Sequence, residues 1–169
     1  SQPVAIDQLA AVDPVDLPLE LAGSRNESAY LRRLAEQYHL PLKLRPLAKI
    51  SERDVGASTS ELFLLSGHAA ADRVTGDVTM LRLGVDGSRR WGTVDLESWR
   101  EPPAVLILGA CESAAGPERR YFGDFGLASA AARSGSPWVL GHRWPVDDQA
   151  AAELHRAFVD ALLGGASPA

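Results

Sequence analysis

The stretch Val105-Leu106-Ile107-Leu108-Gly109-Ala110-Cys111-Glu112-Ser113-Ala114 decides how the chain is read. An apolar run follows the proline pair Pro102-Pro103, breaks off into Gly109-Ala110, and meets the single cysteine of the sequence. A run bounded in this way predicts a strand buried on both faces. The residue just past such a strand's carboxyl end sits where open α/β sheets build their ligand crevice. By itself a lone cysteine reads as a small buried hydrophobe. A second stretch of the same design changes that reading: Leu62-Phe63-Leu64-Leu65-Ser66-Gly67-His68 is also an apolar strand running into small residues and then a reactive side chain.

If the two strands lie parallel in one sheet, neighbours are about 4.8 Å apart, and residues leaving the same edge come within reach of each other. A neutral imidazole beside a thiol is the minimal arrangement for making a nucleophilic thiolate. His68 and Cys111 are therefore the candidate pair.

The 169 residues suffice for one α/β domain with a real core and are too few for two. Hydrophobic residues make up 46% and charged residues 23%, the usual mix of a soluble globular domain. A net charge of -5 supplies no basic field for nucleic acid or an anionic membrane. No apolar run approaches the roughly 20 residues of a membrane span, and no secretory signal opens the chain. One cysteine allows no internal disulfide, which fits a reducing compartment, and a cytoplasmic location is expected.

In chain order, Pro3-Val4-Ala5-Ile6-Asp7 suits a first strand, and Asp13 to Leu21, with two prolines, an irregular connection. A helix capped by Ser24 or Asn26 carries Tyr30, Leu31, Leu34 and Tyr38 at helical spacing and stops at Pro41. Leu42-Lys43-Leu44 is a short strand, and Ser51 opens a brief helical turn. Ala69 to Asp77 reads as a loop; Val78 to Leu83 and Trp91 to Val94 read as a β-hairpin, with Asp95 capping a short turn after it. Glu112 to Asp124 is a Gly/Pro-containing loop, and an Ala/Ser-rich helix runs from about Phe125 to Arg133, closed by Gly135. Pro137 to Gly141 is a strand, and a last helix runs from its cap Asp147 to about Leu163, with Ala151, Leu154, Phe158, Ala161 and Leu162 on one face. Strands alternating with amphipathic helices predict a mostly parallel sheet covered on both faces.

The order LFLLSGH, then LESWREPPAVLILGACESAAG, then GLASAAARSGSPWVLGHRWPVDDQAAAELHRAFVDALLGG resembles the CHAT domain, a family grouped with the caspase-like cysteine peptidases. LPLELAGSRNESAYLRRLAEQ is similar to that family's early loop and first helix, so the resemblance covers nearly the whole chain. It implies a caspase-like three-layer α/β/α sandwich with a mostly parallel central sheet and a small β-hairpin insertion. It also implies Cys111 as nucleophile, His68 as general base, a thioester intermediate, and backbone N–H groups of Ala69 and Cys111 as the oxyanion donors. Two departures stand out. The family commonly has glycine after the histidine, where this chain has Ala69, and many members continue into a further strand with a Trp-Ala pair, where this sequence stops at Ala169. The expectation is a single CHAT domain over residues 1–169, excised from a longer protein and without the usual last strand.

Other residues carry competing readings. His142 also follows an apolar strand and is the rival base, although the resemblance gives it no catalytic role. His39 reads as a helix-end residue and His155 as a solvated one on the last helix. Trp144, Asp147 and Asp148 match the family's Trp-Pro-x-x-Asp element. They read either as an aromatic plug with a helix cap and first turn, or as the wall of the pocket receiving a substrate side chain. Glu112, beside the nucleophile, would repel acidic substrates and raise the thiol pKa. No zinc-type ligand spacing occurs, so neither metal nor cofactor is expected; Asp72, Asp77 and Asp86 leave a calcium site open without matching an EF-hand loop.

The expected function is a cysteine endopeptidase acting on a protein or peptide substrate. By resemblance, it is controlled by a module such as tetratricopeptide repeats elsewhere in the full protein, with no nucleic-acid or membrane partner. The alternative is a catalytically inactive caspase-like binding module; a small-molecule hydrolase using the same dyad is the weaker third.

Overall fold

Strand residues alternate between two faces, and in this chain both faces are apolar. Leu9 and Ala11, Leu62 and Leu64, and Val105 and Ile107 pack into one core, while Ala10 and Val12, Phe63 and Leu65, and Leu106 and Leu108 pack into another. That pattern belongs to a parallel sheet covered on both sides. The computed structural model describes residues 4–17, 19, 21–46, 60–71, 78–83, 89–110 and 126–165.

Among the described residues the central sheet is built from β1 (Gln8–Val12), β2 (Leu42–Arg45), β3 (Glu61–Ser66), β7 (Val105–Gly109) and β8 (Trp138–Leu140). Its order is β2-β1-β3-β7-β8, and every pairing is parallel. A separate antiparallel sheet holds β4 (His68–Ala71), β5 (Val78–Leu83) and β6 (Arg89–Trp91). Helices α1 (Ala22–Tyr38) and α4 (Asp148–Leu163) cover the first core, and α2 (Thr93–Glu97) and α3 (Leu127–Ser134) cover the second. The fold is thus the expected α/β/α sandwich with a hairpin-bearing insertion. The chain steps from β1 to β2 in one direction and from β3 to β7 and β8 in the other. The strand order therefore reverses between β1 and β3, where such sheets open a crevice at their carboxyl ends.

Helix α3 owes its fit to small residues: Leu127, Ala130 and Ala131 are wholly buried, and Gly135 (φ 111°) ends the helix in a left-handed conformation. Its side of the sheet also holds Trp99, whose ring centroid lies 5.2 Å from that of Trp91 and 6.2 Å from that of Phe63. Helices α1 and α4 are tied by Tyr30, whose hydroxyl donates to Asp160 Oδ1 at 2.5 Å and to the Arg156 carbonyl at 3.1 Å. Burial, followed by the Asp160 carboxylate, pushes the phenol well above its ordinary range.

Several local expectations are corrected. The first strand is Gln8–Val12 rather than residues 3–7, because a central parallel strand needs the continuous apolar run Leu9 to Val12 rather than a brief alternation. Helix α1 begins at Ala22, ahead of Ser24 and Asn26, with no cap from its own N-cap side chain. The stretch expected as a loop from Ala69 is strand β4 as far as Ala71, paired with β5. The second hairpin strand ends at Trp91; Gly92 is the N-cap of α2, and Asp95 reaches back to accept its N–H at 2.7 Å. On α4 the buried residues are Ala151, Ala152, His155, Val159 and Leu162, so Leu154 is half exposed and His155, expected in solvent, is 2% exposed. The turn expected at Ser51 and the loop from Glu112 to Asp124 lie outside the described residues.

Candidate active site

Strands β3 and β7 are immediate neighbours, with Ser66 opposite Gly109 in register. The pairing extends one step further, where the Gly67 N–H donates to the Gly109 carbonyl at 3.3 Å. In sequence, His68 and Cys111 each stand two residues beyond that Ser66/Gly109 pair. His68 is half-buried and opens β4. Cys111 and Glu112 lie outside the described residues; the residue before them, Ala110, is 3% exposed.

Gly67, His68, Gly109 and Ala110 together line a cleft of about 250 Å³ at the carboxyl edge of the sheet. Its other walls are Leu21, ahead of α1, and His142, Val146, Asp148 and Ala151, which follow β8. Ala69 lies in β4, and among the described residues only His39 combines a side chain with positive φ. An alanine in place of glycine therefore imposes no backbone strain there.

Among the described residues, Asp147 and Asp148 near the cleft are already engaged. Asp147 caps α4, its Oδ1 accepting the N–H groups of Gln149 and Ala150 at 3.0 Å each. Asp148 caps a different helix: its carboxylate accepts the Gly23 and Ser24 N–H groups and, at 2.8 Å, the Ser24 hydroxyl, all at the start of α1. This contact requires glycine, because a Cβ on Gly23 would stand 2.6 Å from the Asp148 carbonyl oxygen. Trp144 is 67% exposed and lines a second hollow of about 360 Å³ with Arg143 and Leu154, so it does not wall the His68 cleft. His142, Val146 and Ala151 stand between the two hollows and line both.

His142, the rival base of the sequence, lines the same cleft as His68 and belongs to a buried cluster that the sequence does not announce. Glu27 on α1, His155 on α4 and His142 after β8 are all buried and hydrogen-bonded in line. His155 Nδ1 is 2.7 Å from Glu27 Oε1, and His155 Nε2 is 3.0 Å from His142 Nε2. The second Glu27 oxygen accepts the Ser66 hydroxyl at 3.4 Å. Burial, followed by the neighbouring His155, holds the His142 imidazolium below its ordinary pKa, so the ring is neutral at neutral pH. Glu27 and His155 were legible in principle. Glu27 sits four residues before Leu31 on the apolar face of α1, and His155 falls between Ala151 and Val159 at helical spacing.

Among the described residues no group of three or more His, Cys, Asp or Glu is placed to hold a metal ion, and no helix is long and apolar enough to cross a membrane. A family model described as the CHAT domain matches residues 2–169. No curated protein matches the chain.

Proposed function

The chain belongs to the CHAT domain family, which is caspase-like, and from that premise we propose that it is a cysteine endopeptidase using Cys111 as nucleophile and His68 as base. The observation that carries this reading is the parallel pairing of β3 with β7 in the register Ser66 to Gly109. It gives the histidine-bearing and cysteine-bearing strand ends a common edge and a common cleft.

In this mechanism His68 takes the Cys111 thiol proton, and the sulfur attacks the scissile carbonyl carbon. The oxyanion is held by the backbone N–H groups of Ala69 and Cys111. Collapse breaks the C–N bond, the leaving amine takes the proton from His68, and a thioester remains. Water, losing a proton to His68, then attacks the thioester; the acid leaves and the thiol is restored.

The substrate side chain enters the cleft of about 250 Å³. The Asp148 carboxylate there is committed to three donors on α1, which leaves Leu21, Ala110, Val146 and Ala151 as a mostly apolar lining. Glu112, next to the nucleophile, disfavours acidic residues near the scissile bond, and Trp144 borders the outer hollow that receives more distant substrate residues. Control comes from another module or partner.

The test is digestion of a diverse peptide mixture by the purified chain, with mass spectrometry of products and of Cys111 acyl adducts. The expected result is cleavage that disappears in both Cys111→Ala and His68→Ala. Intact peptides with an adduct-free Cys111 would favour the binding-module alternative.

A further inference from the structure

The Glu27, His155 and His142 line has the order of a catalytic carboxylate and imidazole, but it ends in a second imidazole. Three separate elements build it, and no local requirement of helix or strand places two histidines and a glutamate in one buried row. The three residues are 1%, 2% and 7% exposed, in that order. The row passes beneath the end of β7, where Gly109 leaves room for it: a Cβ there would stand 3.3 Å from His155 Cε1 and 2.9 Å from Ser66 Oγ. At its far end His142 lines the same cleft as His68, Gly67 and Ala110.

The hydrogen bonds decide the tautomers. His155 Nδ1 faces a carboxylate and so carries a proton, which in the neutral ring leaves Nε2 bare. The short contact between the rings then requires His142 Nε2–H to donate to His155 Nε2.

We propose that Glu27, His155 and His142 form a proton relay serving the cleft, with His142 as its mouth and His155 and Glu27 as positioning residues. In this relay His142, which lines the cleft, takes up a proton released there at Nδ1, because its Nε2 is bonded to His155. His142 passes its Nε2 proton to His155 Nε2, and the resulting His155 imidazolium stays paired with the Glu27 carboxylate. One proton is gained and the charge comes to rest about one ring away from the cleft. Two imidazoliums 3.0 Å apart in a buried site repel each other strongly, so the pair takes up one further proton, not two.

Among the described residues, the titratable and charged groups lining the same spaces as this pair include Glu27 from α1, Asp148 from the start of α4, His68 from β4 and, beside Glu27 and His155, Arg156 from α4. The relay's use in catalysis rests on the peptidase reading; its proton uptake does not.

The test is an NMR titration of the whole chain labelled with ¹⁵N-histidine, from pH 8 to pH 4.5. The expected result is a single shared uptake, with both rings responding together, and a downward shift of that uptake in Glu27→Gln. Independent titration of the two rings in the native chain would overturn the relay, even if the variant fails to fold. Service to the cleft is read at Cys111 from the ratio of alkylation rates by iodoacetate and iodoacetamide. Protonation of the pair raises that ratio severalfold as pH falls, and His142→Gln flattens the rise. A ratio unchanged by His142→Gln would overturn the relay's link to the cleft. A Cys111 unreactive toward both reagents counts against the peptidase reading and against service to the cleft, while the NMR titration still decides the shared proton.

Discussion

Gly109 lies opposite Ser66 in register, and a Cβ at Gly109 would stand 2.9 Å from the Ser66 hydroxyl oxygen. The last paired residue before the cysteine is therefore glycine for lack of space. Gly109→Ala is expected to destabilise the protein by about 1–3 kcal/mol through overpacking. Adding Ser66→Ala removes the nearest clashing atom, so the double variant should lose less than the sum of the two single changes. Urea denaturation of the four proteins measures this.

Asp148 holds the start of α1 from the start of α4. Asp148→Ala removes the cap and should cost about 1–2 kcal/mol. Gly23→Ala should cost more, because its Cβ meets the backbone oxygen of Asp148, which cannot rotate away. Thermal unfolding ranks the two variants.

Arg45 and Glu61 form a buried ion pair at 2.9 Å, with Gln8 also donating to Glu61 and the Phe63 ring lying beneath the guanidinium. Removing one partner strands a buried charge. Arg45→Met alone should therefore cost about 3–5 kcal/mol, and a double replacement with Glu61→Leu should recover most of it. Chemical denaturation of single and double variants gives the coupling.

His39 ends α1 at φ 54°, in the left-handed region where a side chain costs about 1–2 kcal/mol. The residue is exposed, so His39→Gly should leave packing unchanged and stabilise the protein by roughly 0.5–1 kcal/mol after the added freedom of the unfolded chain is subtracted. A rise in unfolding midpoint is the readout.

His142 binds its proton less readily folded than unfolded, so the unfolded chain takes up more protons on acidification. Its contribution is absent well above about pH 6.5, the ordinary histidine value, and stability falls as pH drops below that value toward the lower folded one. His142→Gln should remove this part of the acid sensitivity, which denaturation at pH 7.5 and pH 5 detects as a smaller difference between the two.

The sheet was legible because Leu62 to Leu65 and Val105 to Leu108 are short runs, apolar at every position and broken by small residues, as a strand covered on both faces demands. The matching strand ends suggest their adjacency without requiring it, and the register of Ser66 with Gly109 shows it. The start of the chain was misread because a weak alternation at residues 3–7 competed with Leu9-Ala10-Ala11-Val12, where two alanines dilute the hydrophobic signal. The buried row was hidden for a different reason. Glu27 and His155 are polar types on helices with wet faces, and only their hydrogen-bonded partner, 128 residues away, makes burial affordable. Asp148 was visible as a residue of the site region, but its role as the cap of a distant helix depends on a tertiary contact that no local pattern announces.

Activation of Cys111 by His68 is read from the pH dependence of Cys111 alkylation in the native chain and in His68→Ala. Because the chain has one cysteine, the modified residue is known. An unassisted thiol titrates near about pH 8.5, and an imidazole-paired one well below that. A working dyad gives fast alkylation of the native chain at neutral and mildly acidic pH, with the acidic arm lost in His68→Ala. A native profile that rises only near about pH 8.5, unchanged by His68→Ala, would contradict it.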